Sequence, residues 1–233
     1  MPSRILATPG SNGHGTAPMR VLVLVADARA SSRTTGSVPQ LGLRSIAHEA
    51  DLARSASHRL AQQLGLTVTG RRSLTISHWC SECHSRDHGA PFFKEEPDLH
   101  LSVSHAFPWV AAAVAQVQVG VDIEPRKELA TGTPRTFDDL YCAALTPNER
   151  AWVMASVDTS EAFLRLWTRK EALIKVGAGD LDLVGQRDVM EDPGPRSQES
   201  LSGVLCTEVA GDYVLSIAHA PGVTVEVAEG IGQ

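Results

Sequence analysis

Cysteine, aromatic residues and long apolar runs are all scarce in this sequence. Its 233 residues include 4 cysteines, unevenly spaced, and only 5% aromatic residues. So few cysteines argue against a disulfide scaffold and favour a reducing, cytoplasmic environment. No apolar run approaches the roughly 20 residues of a membrane-spanning helix, so we expect no membrane association. The 42% apolar and 21% charged residues are typical of a globular protein with one good core or two small ones.

Positive charge is scarce as well. The 21 lysines and arginines face 27 acidic residues, which gives a formal net charge of −6. Because no dense basic run occurs, the composition argues against a generic nucleic-acid-binding protein. A protein of this charge that binds a polyanion must concentrate its cations locally.

The chain predicts strands and helices that follow an N-terminal extension. Residues 1–18 contain proline and glycine without periodicity and predict disorder, which leaves Met1 and Met19 both open as start sites. Apolar residues at helical spacing predict a helix from Ser45 to Leu64, ended by Gly65. The other expected elements are a buried first strand over 21–25, one or two strands over 103–119, a helix that starts at Thr146-Pro147, and a surface loop over 186–202.

Two motifs carry most of the functional information. Gly120-Val121-Asp122-Ile123-Glu124 ends an apolar run, and on a strand Asp122 and Glu124 point to the same side. The segment from Trp167 to Lys175 predicts a helix on which Glu171 and Lys175 are neighbours at i, i+4. Three carboxylates that meet beside lysines suit a hard divalent cation that holds a phosphate compound. The structural alternative for each motif is an exposed strand end and an ordinary helical ion pair.

A third motif, Leu101-Ser102-Val103-Ser104-His105, precedes these two. In this order and at about these separations, the three resemble the motifs of Sfp-type 4′-phosphopantetheinyl transferases: Ser104-His105, Gly120-Val121-Asp122-Ile123-Glu124, and Trp167 with Lys170, Glu171 and Lys175. The resemblance is densest from Gly89 to Lys175. It implies an α+β fold of two similar subdomains, 19–118 and 119–233, related by a pseudo-two-fold axis with the active site between them.

An internal echo favours such a duplication. Residues 101–106 recur as 215–220, an offset of 114 that also places a helix at 160–177 on one at 46–63. In this alignment His105 follows Ser104, whereas His219 follows Ala218. We therefore expect His105 to be functional and His219 to be structural, although a six-residue match also arises by chance.

The resemblance implies an enzyme, a holo-[acyl-carrier-protein] synthase. Such enzymes move the phosphopantetheine arm of coenzyme A onto a serine of an apo acyl or peptidyl carrier protein and release 3′,5′-ADP. The implied metal is Mg²⁺, or Mn²⁺, held by Asp122, Glu124 and Glu171. Glu171 would also accept the serine proton, Lys175 would compensate phosphate charge, and His105 is counted with them as catalytic. The implied contacts with coenzyme A are Arg54, Gly89, Pro91, Ser104, His105, Asp122, Lys170 and Lys175.

One departure from the family pattern keeps other functions open. Where the family often has Gly-Lys-Pro, this chain reads Gly89-Ala90-Pro91, so a lysine that helps to hold the nucleotide is missing. Lys94 and Arg86 are candidate substitutes. The alternatives are a silent module that binds coenzyme A or a carrier without turnover, and a metal-dependent phosphohydrolase.

The carrier itself is expected to contact residues between Glu124 and Trp152. Two halves within one chain predict a monomer, and polyketide, non-ribosomal peptide and fatty-acid carriers all remain open as substrates. The candidate contacts are Arg126, Lys127, Arg135, Phe137, Leu140 and Tyr141.

A cysteine pair invites a zinc hypothesis. Cys80 and Cys83 lie close to His78, His84 and His88, and two thiolates with imidazoles can complete a tetrahedral site. The second cysteine pair of a zinc ribbon is absent, because Cys142 and Cys206 each stand alone. We interpret the segment as a structural loop and keep zinc as the alternative.

Overall fold

The computed structural model describes residues 4–6, 19–31, 46–126, 144–190 and 204–229. They fall into two compact units, Met1–Val119 with Gly222–Gln233, and Gly120–Pro221. Each unit combines helices with strands, which confirms the α+β class. The elements are β1 (Arg4–Leu6), β2 (Arg20–Asp27), α1 (Ala28–Ser31), α2 (Ile46–Thr69), β3 (Ile76–Trp79), β4 (Ala90–Phe93), β5 (His100–Ala106), β6 (Trp109–Ala115), β7 (Val119–Pro125), α3 (Pro147–Ala155), α4 (Thr159–Lys175), α5 (Leu181–Gly185), β8 (Val204–Ala210), β9 (Tyr213–His219) and β10 (Thr224–Glu229).

The first unit is a five-stranded sheet covered by α2. Its strand order is β1-β10-β2-β6-β5, and β3 and β4 form a separate hairpin. The residues of β6 from Val110 to Val114 are fully buried, as expected for a central strand. Small residues on α2, including Ala53, Ala56 and Ala61, are also buried in this core and allow the helix to approach the sheet closely.

Both ends of the chain join this sheet. Residues Arg4–Leu6 form a strand antiparallel to β10, so the predicted disorder of 1–18 is wrong for these three residues; most of the extension lies outside the described residues. A three-residue strand is too short to show periodicity in the sequence. Strand β10 pairs in parallel with β2, whereas the sequence placed it in the second subdomain. Pairing between strands about 200 residues apart leaves no local sequence signal.

Helix α2 continues past its predicted end. Gly65 does not end the helix; a Cβ there would lie 2.6 Å from Leu74 Cδ1 and 2.7 Å from Phe93 Cζ, so glycine lets the helix pack closely. The helix ends at Gly70, which has φ +67° and donates its N–H to the Leu66 carbonyl at 2.9 Å, an arrangement typical of a C-terminal glycine. Within the described residues, no helix has both the length and the apolar character to span a membrane.

The second unit packs α4 against a three-stranded sheet of order β7-β9-β8. Helix α3 begins at Pro147, as predicted, with Thr146 as its N-cap. The Thr146 and Glu149 side chains each accept a hydrogen bond from the other's backbone N–H, a capping box. Phe163, Leu166 and Leu173 of α4 are buried in the core of this unit, and their spacing is the helical pattern read from the sequence.

The two units repeat one order of elements. A strand, a long helix and a hairpin occur as β2, α2, β5 and β6, and again as β7, α4, β8 and β9. The sheet orders agree, because β2-β6-β5 matches β7-β9-β8. Hairpin strands that start at 100 and 109 correspond to strands that start at 204 and 213, an offset of 104. The six-residue echo instead pairs β5 with β9, so it does not mark the repeat that the topology shows.

Candidate active site

A close approach of strand β7 to helix α4 builds one candidate site. A Cβ at Gly120 would lie 2.0 Å from the Ala172 carbonyl oxygen and 2.9 Å from the Val176 nitrogen, so only glycine fits. This contact aligns the strand residues after Gly120 with the last turn of the helix. The glycine of the first motif therefore positions the acids that follow it.

Asp122, Glu171 and Lys175 gather where these elements meet. The Lys175 Nζ lies 2.6 Å from Asp122 Oδ1, and Asp122 is only 4% exposed. Burial raises the pKa of Glu171, the nearby Asp122 charge raises it further, and Lys175 opposes both effects. Two acids that repel each other beside one ammonium can attract further positive charge, and one of them is poised to hold a proton.

The three carboxylates are of the chemical type that binds a divalent cation, but they are not yet close enough to share one. Asp122 and Glu124 leave β7 on the same side, and with Glu171 they offer the hard oxygen ligands that magnesium prefers. Yet in the described part of the chain, three candidate ligand atoms lie within 4.8 Å of one another only at Cys80, Cys83 and His88. At least one of the three carboxylates must therefore move before they can share one ion.

Lys170 does not lie at this site, and its burial argues against the predicted contact with coenzyme A. Its side chain is completely buried, and its Nζ lies 2.7 Å from Glu149 Oε2, which is also completely buried. It further donates to the Gly185 carbonyl at 3.2 Å. Glu149 in turn accepts the backbone N–H groups of Thr146 and Val189 at 2.9 and 2.8 Å. Lys170 therefore joins elements of the fold and is inaccessible to a ligand.

A basic cluster forms in the first unit, on α2, β3 and β5. The His58 and His78 rings lie 5.2 Å apart. Burial lowers the pKa of His58 most, and His78, His105 and Arg54 lower it further through their charges. Burial and Arg54 likewise lower the pKa of His78. The structure thus brings Arg54 and His105, both predicted from sequence, to one place in an acidic protein.

No sequence motif indicates a role for His58, and His78 is predicted from sequence only as a candidate zinc ligand. The signal for His58 was its position four residues after Arg54, on the same face of α2. Its approach to His78 depends on the β3–β4 hairpin, which no local pattern specifies.

The other predicted contacts with coenzyme A lie around this cluster. Pro91 pairs with His78 across the β3–β4 ladder. Gly89 has φ +104°, and a Cβ there would lie 2.3 Å from the Trp79 carbonyl oxygen, so this turn requires glycine. Ser104 precedes His105 on β5 and is 6% exposed. Arg86 is a candidate substitute for the missing lysine, and its Cζ lies 6.0 Å from the centroid of the Trp79 ring.

The predicted carrier contacts are mostly outside the described residues. Lys127, Arg135, Phe137, Leu140 and Tyr141 all fall there. Arg126 is described, and it donates to the Gly211 carbonyl at 3.3 Å and pairs with Glu161 and, at 3.7 Å, with Asp158. These contacts give Arg126 a structural role in the second unit.

Comparison with known proteins finds sequences that are similar to this part of the chain. Residues 118–218, which hold β7, α4 and β9, match the model of the 4′-phosphopantetheinyl transferase superfamily. This match covers 101 of the 233 residues of the chain. One relative is the 4′-phosphopantetheinyl transferase Sfp of Bacillus subtilis, 27% identical over 101 residues, 42% of each chain, so the Sfp-type resemblance is confirmed.

Two other relatives carry similar names. The 4′-phosphopantetheinyl transferase gsp of Aneurinibacillus migulanus is 32% identical over 96 residues, 40% of this chain and 37% of the relative. A putative 4′-phosphopantetheinyl transferase of Haemophilus influenzae is 29% identical over 127 residues, 52% of this chain and 49% of the relative. The matched part of the chain thus spans less than half the length of each of these relatives.

Proposed function

We propose that this protein transfers the phosphopantetheine arm of coenzyme A to a serine of an apo acyl or peptidyl carrier protein and releases 3′,5′-ADP. The observation that supports this most is the grouping of Asp122, Glu171 and Lys175 at the contact between β7 and α4. It occurs within the segment that matches the superfamily. The similarity to the superfamily supports the transfer itself, and the side chains suggest how it proceeds.

Glu171 is the proposed general base. The carrier serine must lose its proton as its oxygen attacks the β-phosphorus of coenzyme A, and a base works best when its pKa lies near the working pH. Burial and Asp122 move the pKa of Glu171 upward, in that direction. In the cation-free protein, Glu171 would therefore accept the proton more readily than an exposed glutamate.

Lys175 is the proposed electrostatic partner of the phosphates. Its side chain is about a quarter exposed, and its Nζ lies 2.6 Å from Asp122 Oδ1. An oriented cation near the diphosphate compensates the negative charge that develops on the leaving 3′,5′-ADP oxygen. A bound Mg²⁺, held by Asp122, Glu124 and Glu171, would supply further neutralisation of the diphosphate.

The basic cluster of the first unit is the proposed binding site for the nucleotide end of coenzyme A. Arg54 and His105 supply donors for a phosphate, and His58 and His78 lie beside them. Burial and nearby cations lower the pKa values of both of these histidines, and the negative charge of a bound phosphate dianion would oppose this shift and favour their protonated forms. This local positive charge would compensate for Ala90, which stands where the family often has lysine.

The test is intact-mass analysis of an apo carrier protein incubated with this protein, coenzyme A and Mg²⁺. We expect a gain of one phosphopantetheine arm, which EDTA abolishes. Asp122→Ala and Glu171→Gln should each slow the transfer by about 10²–10⁴-fold while the circular dichroism spectrum stays unchanged. Glu229→Gln, at the exposed end of β10, is the matched control and should retain the wild-type rate.

Other outcomes would favour the other functions. Binding of coenzyme A without modification of several carriers would overturn the proposal in favour of a silent binding module. Cleavage of coenzyme A without any protein acceptor would indicate a phosphohydrolase. Near-wild-type turnover of both site variants would contradict the roles of Asp122 and Glu171.

A further inference from the structure

The loop between β3 and β4 contains a cluster of potential metal ligands that the transfer reaction does not use. The Cys80 and Cys83 sulfurs and a His88 ring nitrogen all lie within 4.8 Å of one another. The Cys83 Sγ is 3.2 Å from His88 Nε2. In the described ranges, this is the single set of three or more such groups with this spacing.

The hairpin brings these three residues together. Cys80 directly follows the last residue of β3, and His88 is separated from the first residue of β4 by Gly89 alone. The backbone between them folds tightly: the Cys80 N–H donates to the Ser85 carbonyl at 3.0 Å, and the His84 N–H donates to the Cys80 carbonyl at 2.9 Å. His84 has φ 57°, a left-handed conformation that reverses the chain after the second cysteine.

The turn also surrounds the Cys80 sulfur with hydrogen-bond donors. The backbone N–H groups of Cys83 and Glu82 donate to it. Donors that point at a sulfur from the outside orient and stabilise a metal thiolate. The Cys80 sulfur has two backbone donors, and the chain reverses after Cys83. The turn therefore holds its potential ligand atoms in fixed directions.

We propose that Cys80, Cys83 and His88 bind a zinc ion, with a water molecule as the fourth ligand. Two thiolates and one imidazole are the soft and borderline donors that zinc selects, and they exclude magnesium or calcium. Tetrahedral bonds of about 2.3 Å to sulfur and 2.0 Å to nitrogen place the ligand atoms roughly 3.5–3.8 Å apart. The observed spacing, from 3.2 Å to at most 4.8 Å, needs only small side-chain adjustments.

The ion would stabilise a loop that buries few apolar side chains. Cys83 and His88 are exposed, and Cys80 is half-buried, so few apolar contacts hold the turn. Metal bonds that join the two ends of the loop restrict its freedom much as a crosslink does. Because Gly89 follows His88 directly, the ion would also fix the start of the segment that leads to Pro91 beside His78.

The test is zinc binding by the full chain, which needs no activity assay. The purified protein is dialysed against zinc and then against metal-free buffer, and its zinc is measured by mass spectrometry. We expect about one zinc per chain, lost in the double variant Cys80→Ser/Cys83→Ser. His88→Ala should bind at least about 100-fold more weakly, since loss of an outer partner alone costs roughly 10–100-fold.

Two controls separate the site from general effects of substitution. Ser81→Ala alters an exposed residue of the same loop, and Cys206→Ser removes a thiol on β8; both should retain one zinc. Replacement by Co²⁺ should give a thiolate charge-transfer band in the near ultraviolet, which is absent from Cys80→Ser/Cys83→Ser. This band reports cobalt–sulfur bonds and does not depend on the transferase activity.

Three results would overturn the proposal. The first is a wild-type protein, folded by circular dichroism and with reduced thiols, that retains no zinc. The second is equal zinc content in wild type and in Cys80→Ser/Cys83→Ser. The third is a Cys80–Cys83 disulfide that persists under the reducing conditions of purification, because it would assign the pair to redox chemistry.

Discussion

Helix α4 carries two lysines, five residues apart, whose ion pairs differ in kind. Lys170 and its partner Glu149 are both completely buried, and the fold surrounds them with further hydrogen bonds. The Lys175 side chain is 28% exposed, the side chain of its partner Asp122 is 6% exposed, and a second carboxylate, Glu171, lies close to both. The first pair is closed to solvent and ligands, whereas the second can gain a ligand. Accessibility and the neighbouring acid distinguish a site lysine from a structural one here.

The largest expected difference between the two pairs is in stability. Lys170→Met leaves the Glu149 carboxylate buried without its cation, so the free energy of unfolding should fall by about 3–5 kcal/mol. Lys175→Met affects a pair that water partly reaches, and the cost should be roughly 1–2 kcal/mol, between the values for exposed and buried pairs. Urea denaturation followed by circular dichroism measures both.

The effects of the two variants on the transfer rate should have the opposite order, with the larger loss in Lys175→Met. Lys175→Met is expected to lose most of its rate, and Lys170→Met to keep the rate of the wild type at temperatures at which it is folded. Equal losses of stability in the two variants would contradict the distinction between a structural and a site lysine.

An effect smaller than that of Lys170→Met should come from the contact that positions only the Asp122–Lys175 pair. Gly120→Ala places a methyl group 2.0 Å from the Ala172 carbonyl, so β7 must shift away from α4 at a cost of about 1–3 kcal/mol. The Asp122–Lys175 pair should separate, and the transfer rate should fall. The Glu149–Lys170 pair does not involve β7 and should persist.

Gly211→Ala is the matched control for this variant. Gly211 lies between β8 and β9, and a Cβ there would meet nothing within 4 Å. Its stability and rate should be those of the wild type. A crystal structure of Gly120→Ala with the Asp122–Lys175 distance unchanged would show that the glycine does not position this pair.

The positions of Asp122 and Lys175 were easier to predict from sequence than the Glu149–Lys170 pair, because the sequence signals for Asp122 and Lys175 are local. Alternation along β7 and the i, i+4 spacing of α4 predicted where Asp122, Glu171 and Lys175 lie. The role of Lys170 depends on Glu149, which is 21 residues away on another helix, so no periodicity could reveal that pair. Lys170 also stands directly beside Glu171 in a family motif, so the motif alone predicts a contact with coenzyme A that the burial of Lys170 argues against.

Long-range packing explains the other differences between sequence and structure. The β3–β4 hairpin brings His78 to His58, and the pairing of β10 with β2 joins the two ends of the chain. Both depend on contacts between segments distant in sequence. The six-residue match between 101–106 and 215–220 joins strands at different positions in their sheets. Short apolar strands have similar sequences, so such a match does not identify equivalent strands.

The smallest expected effect is a gain of stability on loss of the proposed base. Burial and Asp122 raise the folded-state pKa of Glu171 above its ordinary value of 4.5, so the folded protein binds this proton more tightly than the unfolded chain does. The folded state therefore loses stability as pH rises from below 4.5 through the folded-state pKa, and the whole deficit is present above it. A glutamine, which cannot ionise, removes the deficit.

Glu171→Gln should therefore melt at a higher temperature than the wild type at pH 7.5, and the difference should vanish near pH 4. Because water partly screens the repulsion, the rise should not exceed about 2–4 °C, the shift that 1 kcal/mol produces in a chain of this size. Glu229→Gln should show no such pH-dependent difference. A variant that melts lower than the wild type at pH 7.5 would indicate that the attraction of Lys175 outweighs burial and Asp122. Glu171 would then stabilise the fold, and the contrast with the closed Lys170 pair would be weaker than the structure indicates.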